Sequence, residues 1–109
     1  MTGVKEIMGF LGLSRRAGKL SCGHDAVIES IVKDKAELII LSSDASERLK
    51  NEIKHAASYG DRNITVIESQ FLMQDFYLGV GKKSAVFSVT DKSFKEKLET
   101  MFGEANYGS

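Results

Sequence analysis

The chain reads Gly18-Lys19-Leu20-Ser21-Cys22-Gly23-His24-Asp25-Ala26-Val27-Ile28 at the point that best indicates its fold. A short polar-then-apolar run ends at Gly23, and apolar residues then recur at helical spacing as far as Val32. This pattern predicts a strand that passes through a glycine into the start of a helix. A helix start carries unpaired N–H groups and a partial positive charge, so it can hold a phosphate or another anion. The alternative interpretation is a capped strand–helix turn with surface charges and no ligand.

Basic residues stand beside this segment and in a second cluster. Arg15, Arg16 and Lys19 come just before the predicted turn, and Lys82 and Lys83 form the other group. The whole chain carries fifteen basic and fifteen acidic residues. That balance is evidence against a protein that coats nucleic acid non-specifically, because such proteins need a large positive field. The sequence therefore favours, at most, a compact basic patch.

Length and composition indicate one globular domain. The 109 residues suit a single core, and the contents of 42% apolar and 28% charged residues are ordinary. No apolar run is long enough to cross a bilayer, and the N-terminus lacks a signal-peptide pattern. The single cysteine excludes an intramolecular disulfide and fits a reducing cytoplasm. We expect a cytoplasmic protein, with no membrane partner, that has one RNA-binding domain over residues 1–103 and a mobile tail over residues 104–109.

Apolar periodicity divides the chain into alternating helices and strands. It predicts strands at 20–22, 38–41, 64–67 and 85–89, and helices at 4–16, 24–35, 47–58, 71–78 and 93–102. Asp44 with Glu47, and Ser93 with Glu96, resemble the capping boxes of two of these helices. The alternation predicts an α/β sandwich with helices on both faces of a largely parallel sheet.

Motifs for nucleotide and metal binding are incomplete. Gly18-Lys19 lacks the first glycine and the Ser or Thr of a phosphate-binding P-loop, because Leu13 and Leu20 stand at those positions. The two histidines and the cysteine lack metal-ligand spacing. We therefore expect no metal and no cofactor.

An enzyme would have to use Asp44 at the carboxyl end of the buried strand, with Ser42, Ser43 and His24 nearby. The simpler interpretation is that Asp44 caps the next helix and that the serines satisfy backbone groups of the turn. We expect no catalytic residues on this basis.

Loops at one edge of the predicted sheet combine glycines, lysines and polar side chains. The turns after the first two strands emerge at one edge, and the loop before the last strand joins them if that strand is antiparallel. The residues that would then share this edge are Gly23, His24, Asp25, Ser43, Lys82 and Lys83. Glycine permits close backbone approach, lysine neutralises phosphate, and His24 or Asp25 can contact an exposed base edge.

The order of these segments resembles the L7Ae/L30e family of large-subunit ribosomal proteins, and more closely its bacterial YlxQ-type members. The likeness runs from about Ile7 to Phe102 and is most specific over residues 13–23 and 38–46. The resemblance implies a three-layer α/β/α sandwich around a four-stranded mixed sheet. It also implies binding of structured RNA, typically a kink-turn, with no catalysis and no cofactor.

The chain departs from the family at the helix start. The family pattern there is Gly, a small residue, Asn, Glu, two variable residues and Lys, whose side chains contact the kinked RNA. Gly23 matches, whereas Asp25 takes the Asn position, Ala26 the Glu position and Glu29 the Lys position. Two main contacts are therefore absent, and one position has the opposite charge. Residues 76–83 also depart from the family's small apolar loop.

The expected function is that of a ribosomal-type RNA-binding protein. Its partners would be structured RNA, including ribosomal RNA, and proteins of the ribosome or another ribonucleoprotein. The expected RNA contacts are Arg15, Arg16, Lys19, Gly23, His24, Asp25, Ser43, Lys82 and Lys83. The alternative is a protein–protein adaptor that kept the fold and lost RNA recognition, which Ala26 and Glu29 favour. A small-molecule or enzymatic role ranks third.

Overall fold

The computed structural model describes residues 3–59 and 62–107, in which helices and strands alternate. The elements are α1 (Val4–Arg16), β1 (Leu20–Cys22), α2 (His24–Val32), β2 (Leu38–Leu41), α3 (Glu47–Ser58), β3 (Thr65–Glu68), α4 (Met73–Val80), β4 (Val86–Val89) and α5 (Lys92–Tyr107). The four predicted strands are all present. Two have the predicted bounds, and the other two lie within one residue of them.

The four strands form one mixed sheet in the order β1-β4-β2-β3. β2 and β3 are parallel, whereas β4 runs antiparallel to both β1 and β2. The mixed sheet implied by the family resemblance is confirmed, and the prediction of a largely parallel sheet is wrong. The reason lies in α4, whose first N–H, from Met73, bonds to Asp44 just after β2. The chain from β3 through α4 therefore stays at the edge where β3 ends, and β4 enters the sheet from that edge.

Helices cover both faces of the sheet, which gives the three layers. Alternate residues of β2 point to opposite faces, so Ile40 joins the core under α1, α4 and α5, and Ile39 joins the core under α2 and α3. β2 and β4 are buried along their whole length because helices cover them from both sides. The α/β/α architecture implied by the resemblance is thus confirmed.

The start of α3 differs from the predicted capping box. The hydroxyl of Ser46, not the carboxylate of Asp44, accepts the Leu49 N–H, at 3.1 Å. The Asp44 carboxylate instead accepts the Met73 N–H at 3.0 Å and so fixes the start of α4. Both side chains are good caps. The sequence does not reveal that a second helix start, 29 residues further along the chain, lies beside Asp44.

The last helix extends beyond both predicted ends. Asp91 rather than Ser93 accepts the Phe94 N–H, at 3.0 Å, which moves the helix start towards the N-terminus. At the other end the helix continues to Tyr107. Most of the predicted tail (104–109) is therefore helical, because its Glu and Ala are strong helix formers. The last two residues of that tail lie outside the described part of the chain.

The packing of α4 on α1 depends on Gly79. A Cβ at Gly79 would lie 2.6 Å from the Cβ of Met8. We expect Gly79→Ala to lower the free energy of unfolding by about 1–3 kcal/mol through overpacking. Gly9→Ala on α1 is the matched control, because no atom lies within 4 Å of a Cβ there. It is expected to raise stability by up to about 1 kcal/mol through helix propensity. Equilibrium urea unfolding measures both, and equal effects would contradict this packing.

Candidate nucleic-acid interface

One edge of the sheet gathers the turns that follow β1 and β2 and the loop that precedes β4. The Gly23 N–H donates to the Val86 carbonyl at 2.9 Å, and the Ser42 N–H donates to the Ala85 carbonyl at 2.9 Å. These bonds hold the three turns against each other. We call this edge the rim and define it as residues 22–25, 42–44 and 81–85.

Gly23 connects β1 directly to α2. Its backbone has φ 94° and ψ 162°, a region that only glycine occupies readily. A Cβ at Gly23 would make an ordinary contact, 3.8 Å from the Ser84 hydroxyl. Backbone conformation rather than lack of space therefore requires glycine here. No described side chain caps the start of α2, so its first N–H groups are open to an anion.

His24 stands at the start of α2 between two carboxylates. Its Nδ1 lies 3.0 Å from Oδ1 of Asp25, and its Nε2 lies 2.8 Å from Oε2 of Glu52 on α3. The hydrogen bond to Glu52, followed by that to Asp25, raises the pKa of His24 above its ordinary value. The rim therefore favours a doubly protonated imidazolium at this position.

Arg15 joins α1 to the rim loop. Its Nη1 donates to the Val80 carbonyl at 3.1 Å, at the C-terminal end of α4. The next residue, Gly81, has φ 88°, and a Cβ there would lie 2.9 Å from the same guanidinium nitrogen. Arg15 thus fastens the loop that carries Lys82 and Lys83, in addition to supplying positive charge.

Lys82 and Lys83 place two exposed cations on the rim. Burial raises the pKa of the Cys22 thiol, and the charges of Arg15 and Lys82 oppose that shift. Desolvation works to raise the pKa of Asp44, but the Met73 N–H bond, together with the Lys83 charge, holds it below its ordinary value. These electrostatic effects place Arg15, Lys82 and Lys83 beside the ends of β1 and β2.

The structure separates the remaining predicted contacts. Ser43 is exposed on the rim, where its N–H donates to the Phe71 carbonyl at 2.7 Å. Lys19 lies at the other end of β1, where its Nζ is 3.8 Å from Oδ2 of Asp91. The Arg16 guanidinium lies beside Gly12 on α1. The rim therefore groups seven of the nine predicted residues: Arg15, Gly23, His24, Asp25, Ser43, Lys82 and Lys83.

Sequence reasoning missed Glu52 as part of this site. Glu52 is 28 residues from His24 in sequence and lies on the exposed face of α3. A charged residue on such a face usually contacts only solvent, so no local pattern singles it out. Its role depends on the lateral packing of α3 beside α2, which only the folded chain shows.

Metal-ligand groups and membrane-spanning helices were also sought in the described residues. No set of three or more His, Cys, Asp and Glu side chains there is arranged to hold a metal ion. None of the described helices combines the length and the apolar character needed to cross a bilayer.

Two RNA-binding proteins are similar to this chain over most of their length. The RNA-binding protein YlxQ of Enterococcus faecium is 30% identical over 97 residues, which cover 89% of this chain and 91% of that protein. The RNA-binding protein YlxQ of Bacillus subtilis (strain 168) is 32% identical over 94 residues, which cover 85% of this chain and 91% of that protein.

Solved structures share the fold. A protein of unknown function from Bacillus halodurans has a TM-score of 0.82 at 29% identity, covering 92% of this chain and 99% of that chain. The Giardia lamblia 15.5 kD RNA-binding protein has a TM-score of 0.70 at 12% identity, covering 93% of this chain and 85% of that chain. The sequence profile of one family matches residues 5–98. The chain belongs to the ribosomal protein L7Ae/L30e/S12e/Gadd45 family.

Proposed function

We propose that this chain binds structured RNA of the kink-turn type through the rim. The observation that carries the proposal is the uncapped start of α2, which a glycine-only turn presents beside exposed cations. The two YlxQ relatives, which are RNA-binding proteins by name, support the ligand class. The family, which includes ribosomal proteins, supports a role in the ribosome or another ribonucleoprotein.

Each part of the rim has a chemical role in this proposal. Lys82, Lys83 and the start of α2 bind phosphates, since ammonium groups and free N–H groups are the usual partners of the RNA backbone. Gly23 lets the backbone of the RNA approach closely. His24 and Asp25 contact base edges of unpaired or non-canonically paired nucleotides.

The proposal involves binding without catalysis. An enzyme at this edge would rely on Asp44, but its carboxylate is engaged by the Met73 N–H at 3.0 Å and holds a negative charge through its lowered pKa. Asp44 thus has a structural role at the start of α4.

A protein–protein adaptor is the second candidate function. It is favoured by Ala26 and by Glu29, which is paired with Lys33 on the same helix at 2.6 Å. At these two positions the rim lacks the carboxylate and the cation that the family resemblance assigns to RNA contacts.

The affinity for a kink-turn RNA is expected to fall with salt, because Lys and Arg contacts release counterions. With about three to five phosphate contacts, the slope of log K against log salt should be about −2 to −5. Lys82→Ala with Lys83→Ala should reduce the slope by about 1.4 to 1.8. Fluorescence titrations at several salt concentrations measure this slope.

The matched control is Lys92→Ala with Lys97→Ala, which removes two exposed lysines from α5. This variant should keep the slope of the unmodified protein. Absence of measurable RNA binding even at low salt would favour the adaptor function. An equal reduction of slope in both double variants would place the RNA elsewhere than at the rim.

A further inference from the structure

We propose that Glu52 and His24 are positioning residues that hold the Asp25 carboxylate to recognise a guanine of the bound RNA. The inference rests on the proposed RNA binding at the rim. It goes further in naming the recognised base and the residues that orient the group that recognises it.

The three side chains form a hydrogen-bonded chain across two helices. The His24 ring donates from Nε2 to Glu52 on α3 at 2.8 Å and from Nδ1 to Asp25 on α2 at 3.0 Å. Glu52 anchors the ring from a second helix, so the ring does not rotate freely at the helix start. The side chain of Asp25 is otherwise fully exposed, and its second oxygen faces solvent, where a ligand can reach it.

An ionised carboxylate accepts hydrogen bonds and donates none. Guanine presents two adjacent donors, N1–H and the N2 amine, on its Watson–Crick edge. Adenine, cytosine and uracil each place an acceptor beside the donor on that edge, so they fit an acceptor-only group less well. Asp25 also takes the position at which the family has Asn, whose amide supplies both a donor and an acceptor. A fixed Asp25 therefore selects for guanine.

The positioning depends on the proton of His24. The charged groups that act on the ring are Asp25 on α2 and Glu52 on α3. The strands packed against α2, β1 and β4, contain no charged residues. A protonated ring leaves the three groups with one net negative charge. A neutral ring leaves two net negative charges and donates from one nitrogen only.

The direction of the pH effect follows from these charges. The carboxylates raise the pKa of His24 above 6.5. RNA affinity is thus expected to be highest below about pH 6.5 and to fall as pH rises through the raised pKa. The loss has two causes, since Asp25 is released from the ring and the rim repels phosphate more strongly.

The experiment titrates a standard kink-turn RNA, and versions in which each guanine in turn is inosine, against four proteins at fixed salt. Inosine lacks the N2 amine. For the unmodified protein, we expect one inosine substitution to weaken binding about tenfold, the effect of losing one bond to a charged group. Asp25→Ala should bind more weakly and ignore that substitution.

His24→Gln tests the positioning role. It should lose most of the discrimination against that inosine, and its affinity should not change between about pH 6 and pH 9. His55→Gln is the matched control, because His55 is the other histidine and lies near the far end of α3. This control should keep both the discrimination and the pH dependence. Thermal melts establish that each variant is folded.

The outcomes separate the two proposals. If the unmodified protein binds no RNA at any pH, the proposed function fails and this inference fails with it. If it binds with neither pH dependence nor sensitivity to inosine, RNA binding stands and guanine recognition by Asp25 is overturned. A pH dependence that disappears in His55→Gln but persists in His24→Gln would overturn the positioning role of His24.

Discussion

The double change Ala26→Glu with Glu29→Lys is expected to tighten binding to a standard kink-turn RNA at least about tenfold, or by about 1.4 kcal/mol. These substitutions restore the carboxylate and the cation that the family resemblance places at the helix start. Each restored charge-assisted hydrogen bond contributes about 1.5–3 kcal/mol. Tenfold is therefore the smallest gain that the restored contacts should produce.

The structure shows why Glu29 opposes RNA in the unmodified protein. Its carboxylate lies 2.6 Å from the Lys33 ammonium, and this hydrogen bond lowers the pKa of Glu29. Glu29 therefore carries a negative charge near neutral pH. Ala26 and Glu29 line the same shallow depression between α2 and β1. Both substitutions thus act on one surface, next to the start of α2.

The control for this prediction must reproduce the change in net charge, because any added positive charge attracts RNA. The double variant gains one net positive charge. Glu96→Gln, on the exposed face of α5, gains the same charge far from the start of α2. Parallel titrations at fixed salt compare the two. A restored pair that binds no better than Glu96→Gln would mean that α2 does not face RNA, and the adaptor function would then be preferred.

The sequence predicted the elements well because their signals are local. The apolar run of β2 and the glycine before α2 each lie within a few residues, and both appear in the structure as predicted. Strand direction is not a local property. Whether β4 enters the sheet parallel or antiparallel depends on where α4 lies, and that is fixed by the bond between Asp44 and Met73.

The same distinction applies to the site. Gly23, His24 and Asp25 are consecutive, so their common location follows from the chain itself. Lys19 lies only four residues before Gly23, yet the extended β1 carries it to the opposite edge of the sheet, beside Asp91. Closeness in sequence along a strand is therefore a poor guide to a shared surface, whereas strand ends are a good one.

Glycine is a further case in which pattern and structure agree for different reasons. The sequence favoured Gly23 because RNA needs close approach. The structure adds that φ of 94° and ψ of 162° require glycine even without a ligand. Substitution of Gly23 would therefore damage folding and binding together, which is why the tests of RNA contact use Ala26, Glu29 and the rim lysines instead.

The largest expected effect on stability is that of Phe76→Ala. Phe76 is completely buried on α4, with its ring 4.7 Å from that of Phe87 on β4 and 6.1 Å from that of Phe71. Removing the ring leaves a cavity among three elements, so the free energy of unfolding should fall by about 3–5 kcal/mol. Phe76→Leu keeps most of the volume and should cost less than half of that.

Equilibrium urea unfolding measures both variants, and an unchanged m-value would show that the native state keeps its compactness. RNA titration supplies the second measurement, because α4 leads directly into the loop that carries Lys82 and Lys83. Since Arg15 also holds this loop, at the Val80 carbonyl, Phe76→Ala should weaken RNA binding even under conditions where the chain stays folded. A loss of less than about 1 kcal/mol would mean that α4 does not dock through this ring. In that case, the lysines of the rim would need another anchor.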